Sequence, residues 1–205
     1  LASDNYAISY RAGKLTVSPK ALLAQVDAGS PSASRVYDGS AAFSGVALAL
    51  GGALEGDEVS ATADGNAVDA LAGAGKAFAA TRIVLAGSSA GNYALAPENV
   101  SGSVSIDRAP LIVRAKDATM VAGAALPAFG YETEGLAAVD EVLAPPAFGV
   151  EGDTSKAGTC AVVPSGISVT NAGCYDVVYE KGVLSVTTAG GNGGNGVASI
   201  KREKF

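Results

Sequence analysis

The stretch N-Y-A-I-S-Y-R-A-G-K-L-T-V, residues 5–17, decides the fold of this chain, because recognisable versions of it recur twice further on. Its larger apolar residues fall on every second position from Tyr6 to Tyr10, which is the period of a half-buried β-strand. A turn over residues 11–13 ends in glycine, and the alternation resumes at Leu15. The stretch therefore predicts a β-hairpin.

Two later stretches repeat this pattern, one beginning at Tyr93 and the other running from Tyr175 to Val186. Successive tyrosines are 87 and 82 positions apart, so each repeat is a little over 80 residues long. A domain of this size buries only about 60–65% of the surface of its unfolded chain and gains stability from a neighbour. We expect two small β domains, with Tyr6, Tyr93 and Tyr175 packing each closing hairpin onto a core.

The repeat divides the chain into four segments. They are the closing hairpin of a preceding repeat (1–18), a first β module (19–107), a second β module (108–188), and a Gly/Asn-rich linker with a polar tail (189–205). Within the first module, residues 67–72 fit a short helix and a strand equally well. Because the chain begins inside a hairpin, we expect it to be a piece of a longer polypeptide with any export signal upstream.

The composition indicates a thin β core and excludes some partners. Hydrophobic residues make up 48% of the chain but aromatic residues only 6%, and there are 27 glycines. The net charge of −6 argues against a nucleic-acid partner, which would require a basic surface. No apolar run reaches the roughly 18–20 residues that would span a membrane.

Cys160 and Cys174 are the two cysteines, and each lies in an apparent strand. Because a connection of only 13 residues joins the two strands, we expect them to be neighbours in a sheet and predict a disulfide between these residues. It would close a loop of about 14 residues and contribute about 3 kcal/mol in the chain-entropy model. Two buried thiols are the alternative, and a disulfide would place the protein in an oxidising compartment.

Two glycine-rich stretches superficially resemble catalytic or nucleotide-binding motifs. The stretch 87–91, G-S-S-A-G, fits a nucleophile elbow centred on Ser89, but the chain has no histidine to accept the serine proton. The stretch 73–77, G-A-G-K-A, lacks the first glycine and the Ser/Thr of a phosphate-binding loop. We therefore predict no catalytic residue, no cofactor and no enzyme.

Metal and sugar-cleaving sites are also poorly supported. Two cysteines without histidine do not fill a tetrahedral zinc site. The acidic pairs Asp57-Glu58, Asp140-Glu141 and Glu151/Asp153 lack the spacing of a calcium loop, although calcium binding stays open. The stretch Asp140-Glu141-Val142 mirrors Asp57-Glu58-Val59. A glycosidase cleft would need paired acids, usually with aromatic platforms, and the chain has no tryptophan.

The first module resembles the YDG domain that is repeated in filamentous-haemagglutinin-type exoproteins of Gram-negative bacteria. The resemblance covers about residues 18–106. It rests on Val36-Tyr37-Asp38-Gly39, Leu54-x-Gly56-Asp57-x-Val59, Gly73-x-Gly75-Lys76-Ala77, and Leu85-x-Gly87-x-x-Ala90-Gly91-Asn92-Tyr93-x-Leu95. Tyr37, Asp38 and Gly39 are then structural residues that form a turn.

The second module resembles the MBG domain that accompanies the YDG domain. The matching motifs are Pro110-Leu111-x-Val113-x-Ala115-Lys116-Asp117-Ala118, Gly158-Thr159, and Tyr175-Asp176-x-x-Tyr179-x-x-Gly182-x-Leu184-x-Val186. This chain departs from the pattern in having Val121-Ala122-Gly123 where V-Y-G is usual, and in its two cysteines, which stand where tyrosine and asparagine are common. Residues 1–18 resemble the end of another MBG-like unit.

These resemblances imply tandem β modules in a secreted protein that is exported across the outer membrane and displayed at the cell surface. We expect a structural stalk or spacer of an adhesin, with neighbouring repeats of the same polypeptide as its partners. The alternative is a module that itself binds a host protein or glycan. The sequence leaves open whether each module is an immunoglobulin-like sandwich or a β-grasp-like arrangement.

Overall fold

β-strands make up most of residues 9–188, the part of the chain that the computed structural model describes. The helical pieces in this part are four 3-10 helices of three residues each: Pro31–Ala33, Ala90–Asn92, Pro97–Asn99 and Ala172–Cys174. The prediction of a mainly β fold built from small tandem modules is thereby confirmed. The chain divides into two compact units, Leu1–Asp107 and Arg108–Phe205.

Residues 9–107 of the first unit contain nine strands. They are β1 (Lys20–Ala21), β2 (Leu23–Val26), β3 (Ser34–Val36), β4 (Ala42–Gly51), β5 (Ser60–Ala67), β6 (Gly73–Ala86), β7 (Tyr93–Ala94), β8 (Val100–Ser101) and β9 (Ser103–Asp107). Seven of them form one sheet in the order β3-β9-β6-β5-β4-β2-β8, and β1 pairs with β7. The long strands β4, β5 and β6 form an antiparallel meander in its middle.

The sheet of the first unit curls, because consecutive strands lie near its two ends. β8 pairs with β2 at one edge, whereas β9 pairs with β6 and β3 near the other. Gly102 joins them with a φ of +120°, and a Cβ here would lie 3.0 Å from Val26. The curled sheet encloses a core in which Phe43 and Phe78 meet edge to face at 6.4 Å.

The described part of the second unit, residues 108–188, also contains nine strands. They are β10 (Ala109–Ala115), β11 (Ala118–Val121), β12 (Tyr131–Glu134), β13 (Val142–Ala144), β14 (Ala147–Glu151), β15 (Gly158–Ser165), β16 (Ser168–Val169), β17 (Tyr175–Glu180) and β18 (Gly182–Thr187). They form sheets in the orders β12-β10-β17 and β11-β18-β15-β14, with β13 and β16 as a separate pair.

The core of the second unit lies where β10 and β17 contact β15 of the other large sheet. Alternate residues along the strands point inward, as the period of two requires. The most deeply buried are Leu111, Val113, Val162 and Leu184, each with 0% of its surface exposed. Phe129 packs against this core together with Phe148, at a ring distance of 5.7 Å.

The predicted closing hairpins are wrong, because the strands involved do not pair with each other. In the second unit, β17 pairs in parallel with β10, and β18 pairs in parallel with β11 and antiparallel with β15. In the first unit, β7, β8 and β9 likewise pair in parallel with β1, β2 and β3. The last stretch of each unit therefore runs alongside its first stretch in the same direction.

The structure also revises two local predictions. The hairpin predicted over 5–17 lies partly outside the described residues, and residues 9–19 contain no strand. A lone two-stranded hairpin is marginal in water, because it needs further strands or another element to pack against. Of residues 67–72, left open between helix and strand, Ala67 is the last residue of β5 and residues 68–72 form a bend between β5 and β6. Among residues 9–188 no helix is long and apolar enough to cross a membrane.

Candidate functional site: a tyrosine clasp in each unit

A buried tyrosine hydroxyl fastens the start of the last long stretch in the second unit. Tyr175 is 4% exposed, and its hydroxyl donates to the Asp140 carboxylate at 2.5 Å. The same hydroxyl accepts from the backbone N–H of Ala137 at 3.0 Å. Asn171 donates its side-chain amide to the other oxygen of Asp140 at 2.7 Å. These hydrogen bonds satisfy a carboxylate that is only 6% exposed, so its burial is tolerated.

The first unit contains the same arrangement. Tyr93 is 5% exposed, and its hydroxyl donates to Asp57 at 2.5 Å and accepts from the Leu54 N–H at 2.9 Å. The hydrogen bond to Asp57 raises the pKa of Tyr93 above its ordinary value, because a carboxylate acceptor favours the protonated phenol. We call this set of a tyrosine hydroxyl, an aspartate carboxylate and the N–H three residues before the aspartate a clasp.

Local sequence explains why both clasps have the same geometry. Each unit contains a turn of four residues, Leu54 to Asp57 in the first unit and Ala137 to Asp140 in the second. In both turns the aspartate N–H donates to the carbonyl three residues earlier. The turn thus presents an N–H and a carboxylate together. Each tyrosine directly follows a 3-10 helix that contains an Ala-Gly pair. The recurrence of tyrosine predicts that both tyrosines are core residues but does not identify their aspartate partners, although the repeated Asp-Glu-Val tripeptide contains them.

The Tyr37-Asp38-Gly39 tripeptide forms a bend after β3. Tyr37 is 4% exposed and its N–H donates to the Asp107 carbonyl at 2.9 Å. The N–H of Ser40 donates to Asp38 at 2.9 Å, and this bond holds the pKa of that carboxyl below its usual range. Arg35 forms an ion pair with Asp38. Gly39 has a φ of +83°, which favours glycine. Tyr6, the remaining predicted structural residue, lies outside the described residues.

The predicted disulfide between Cys160 and Cys174 is wrong for this structure, which contains both residues as buried thiols. Cys160 lies on β15 opposite Leu184, ten residues beyond Cys174. Ten residues of extended chain span about 33 Å, whereas a disulfide requires Cα atoms within about 7 Å. Cys160 packs in the core cluster with Met120 and Val162 instead. The short sequence separation was misleading because β15 pairs with β14 and β18, not with the strand that follows Cys174.

Ion pairs cover the outer face of the sheet β12-β10-β17. Arg114 contacts Glu180 at 2.6 Å, and Lys116 contacts Glu132 at 2.9 Å. The hydrogen bond from Lys116 lowers the pKa of Glu132, and Glu180 raises the pKa of Arg114. All four side chains are substantially exposed, so each pair stabilises the sheet only slightly. Arg114 and Glu180 are also directly opposite each other in the parallel pairing of β10 with β17.

The two stretches that resemble catalytic or nucleotide-binding motifs have structural roles. Ser88 donates to the Glu58 side chain at 3.1 Å, and the Ser89 N–H donates to the Glu58 carbonyl at 3.1 Å, so this turn docks against the start of the clasp region. Residues 73–77 begin β6 rather than a loop. The charge of Lys76 there is paired with Asp69 at 2.6 Å.

Two open hollows lie on the surface of the first unit. One of about 510 Å³ lies beside β2 and β4 and is lined by Leu23, Leu50, Glu98 and others. A second of about 410 Å³ lies beside the Tyr93 clasp. Across the described stretch, no group of three or more acidic, cysteine or histidine side chains is placed to hold a metal ion.

Comparison with known protein families finds two matches in tandem. The family model described as the YDG domain matches residues 18–100. The model described as the MBG domain (YGX type) matches residues 111–185. Searches of curated proteins and of solved structures found no match to this chain. Each match falls within one of the two compact units, and each contains one complete clasp.

Proposed function

Because the chain belongs to the YDG domain family over residues 18–100 and to the MBG domain family over residues 111–185, we propose that it is a non-enzymatic structural spacer of a large secreted protein. The whole protein is an adhesin on the surface of a Gram-negative bacterium, of the filamentous-haemagglutinin type. Neighbouring repeats of the same polypeptide are the partners of these modules. Their task is to hold other parts of the protein away from the cell and to withstand pulling.

The observation that carries this proposal is the parallel pairing between the first and last stretches of each unit. In the second unit, Ala109 is paired with Tyr175 where the chain enters, and Val121 is paired with Thr187 where it leaves. The 12 steps between Ala109 and Val121 correspond to about 40 Å of extended chain. The chain thus enters at one end of the unit and leaves at the other, as a spacer requires.

The same pairing gives each unit a geometry that resists pulling. Tension between the two chain ends drives β17 and β18 to slide along β10 and β11, because the paired strands point in the same direction. Sliding loads all the hydrogen bonds of the two parallel ladders together. Peeling one strand away would break them one after another. Forced unfolding is governed by the unfolding rate. Hydrogen bonds that share the load should therefore raise the force needed to unfold the unit without raising its equilibrium stability.

The alternative role, direct binding of a host protein or glycan, has weaker support. Sugar-binding sites commonly use exposed aromatic rings, and within residues 9–188 the exposed aromatic side chains are Tyr10, at 77%, and Tyr179, at only 37%. The hollows beside β2 and beside the Tyr93 clasp are the candidate sites for such a ligand. A glycan and matrix-protein binding screen separates the two roles, because a spacer should give no saturable binding.

Single-molecule pulling tests the mechanical role directly. Clickable non-natural residues at Arg108 and Thr188 would load the second unit along its parallel strands, whereas handles at Arg108 and Asp176 would peel β17 from β10. Both pairs of positions are exposed, and this chemistry leaves the two buried thiols untouched. We expect a clearly higher rupture force in the first geometry at equal pulling rate. Equal forces in the two geometries would refute the proposed role.

A further inference from the structure

Residues 10–17 correspond without a gap to residues 179–186 at the end of the second unit. The identical residues are Tyr10 and Tyr179, Gly13 and Gly182, Leu15 and Leu184, and Val17 and Val186. In the first unit, Gly102, Val104 and Ile106 continue the same glycine and apolar spacing. Three stretches of the chain therefore share one pattern, and two of them belong to completed units.

In both completed units the pattern lies in the core between two partner strands. Leu184 and Val186 are 0% and 4% exposed on β18, which lies between β11 and β15. Val104 and Ile106 are 1% and 2% exposed on β9, which lies between β3 and β6. The shared glycine is required by close packing, since a Cβ on Gly182 would lie 2.6 Å from the Ala115 carbonyl oxygen.

The third copy is in the opposite situation. Leu15 is 89% exposed and Val17 is 85% exposed, and residues 9–19 form no strand. Burial of two such side chains would be favourable, so this segment carries apolar surface that favours pairing with another sheet. The two buried copies indicate what covers this surface. Each has a partner strand on both sides, and in the second unit a backbone carbonyl lies close to the shared glycine.

The charge pattern of the segment narrows the choice of partner. Arg11 takes the place of Glu180, which in the second unit forms its ion pair with Arg114 at 2.6 Å. Paired with an identical module, Arg11 would therefore meet Arg114, and like charges directly opposite across a sheet are destabilising. A partner with an acidic residue at the Arg114 position would be complementary, which is how charge gives specificity.

We propose that residues 10–17 are a strand donated to a β module of the MBG type that lacks its own last strand and has an acidic residue in the position of Arg114. Leu15 and Val17 fill its core in the manner of Leu184 and Val186. The segment pairs in parallel with the second strand of that module, as β18 pairs with β11. This inference concerns pairing alone and does not depend on the mechanical role proposed above.

A hybrid chain tests the proposal. Residues 108–173 carrying Arg114→Glu are placed directly before Asn5 of the chain 5–205, so that residues 5–17 stand where 174–186 would be. Hydrogen exchange is then compared with that of the unaltered chain. We expect the amides of residues 14–17 to exchange about 100-fold more slowly in the hybrid, because they become part of a core sheet.

Two comparisons make the outcome decisive. A second hybrid joins residues 108–187 to 18–205, so the added module keeps its own last strand and shows that it folds in this position. Leu15→Asp should abolish the protection, whereas the outward-facing Lys14→Asp should leave it. A version of the first hybrid that retains Arg114 should protect residues 14–17 less. The proposal is overturned by the following pair of results. The amides of the added module are protected from exchange in the second hybrid, whereas residues 14–17 of the first hybrid exchange as fast as in the unaltered chain.

Discussion

Replacing Tyr175 with phenylalanine tests the clasp of the second module with a minimal change. The substitution keeps the buried ring and removes a hydroxyl that donates to Asp140 at 2.5 Å and accepts from Ala137 at 3.0 Å. A hydrogen bond to a charged group contributes about 1.5–3 kcal/mol, and a buried donor left without its acceptor costs about 1–3 kcal/mol. Because Asn171 still donates to Asp140, we expect a combined loss of about 2–4 kcal/mol.

Hydrogen exchange followed through a urea titration measures this loss in each module separately. With a urea dependence of about 1–3 kcal/mol per molar for a small domain, the midpoint for residues 109–187 should fall by about 1–2 M. The midpoint for residues 20–107 should not change, because Tyr93 forms its clasp within the first unit.

Tyr179→Phe is the matched control. Tyr179 lies on the same strand, is 37% exposed, and uses its hydroxyl to accept from the Ile167 N–H at 3.0 Å. Water replaces that bond easily, so the loss should stay below about 1 kcal/mol. Equal shifts for the two phenylalanine variants would show that the buried clasp contributes no more than an ordinary surface hydrogen bond, and the reasoning would fail.

Three further predictions concern packing and pH. Gly182→Ala should destabilise the second module by about 1–3 kcal/mol in urea denaturation, because the added Cβ would lie 2.6 Å from the Ala115 carbonyl oxygen. Gly173→Ala is the control and should have little effect, since no atom lies within 4 Å of its added Cβ. The pKa of Tyr93 is raised in the folded protein, so its contribution is complete below the unfolded value of about 10 and is lost as pH rises through the folded pKa. Thermal melts at rising alkaline pH should show that loss in the first module, and Tyr93→Phe should reduce the pH dependence. The pKa of Glu132 is lowered chiefly by Lys116, so its stabilising effect holds above about 4.3 and is lost as pH falls through the folded pKa. In a Lys116→Met variant, NMR titration should show the pKa of Glu132 returning toward its ordinary value.

The β class of the fold was predictable because alternation of apolar residues depends only on local geometry. Leu111 and Val113 in β10 alternate with more exposed residues and are fully buried, as that period requires. The pairing was not predictable in the same way, because alternation identifies the inward face of a strand but not its neighbour. The glycine at 182 resembled the turn of a hairpin. Its actual role is close packing against the Ala115 carbonyl, which involves a residue 67 positions away.

The clasps show the same limit at the level of single side chains. The recurrence of tyrosine indicated that Tyr93 and Tyr175 are core residues, and both are buried. Their aspartate partners lie 36 and 35 positions earlier, so no local pattern joins the two groups. Only the nearly equal separation in the two modules could have revealed them. The cysteine pair was misleading for a related reason, since a short sequence separation does not show that two strands are neighbours, and β15 and β17 belong to different sheets.

The position of each clasp connects stability with the proposed mechanical role. Tyr175 is the first residue of β17 and is paired with Ala109, where the chain enters the unit. Tension pulls this end of β17 toward the exit, so the first residues of the strand must slide past the entry strand before any other part of the module is released. A slide by one pair of residues moves the chain by about 7 Å, more than enough to separate the Tyr175 hydroxyl from Asp140. The clasp therefore opposes the first step of unfolding under tension. The first unit has its own clasp in the same position, because Tyr93 is paired with Lys20 where the chain enters. A chain of modules pulled from both ends requires such a contact in every module.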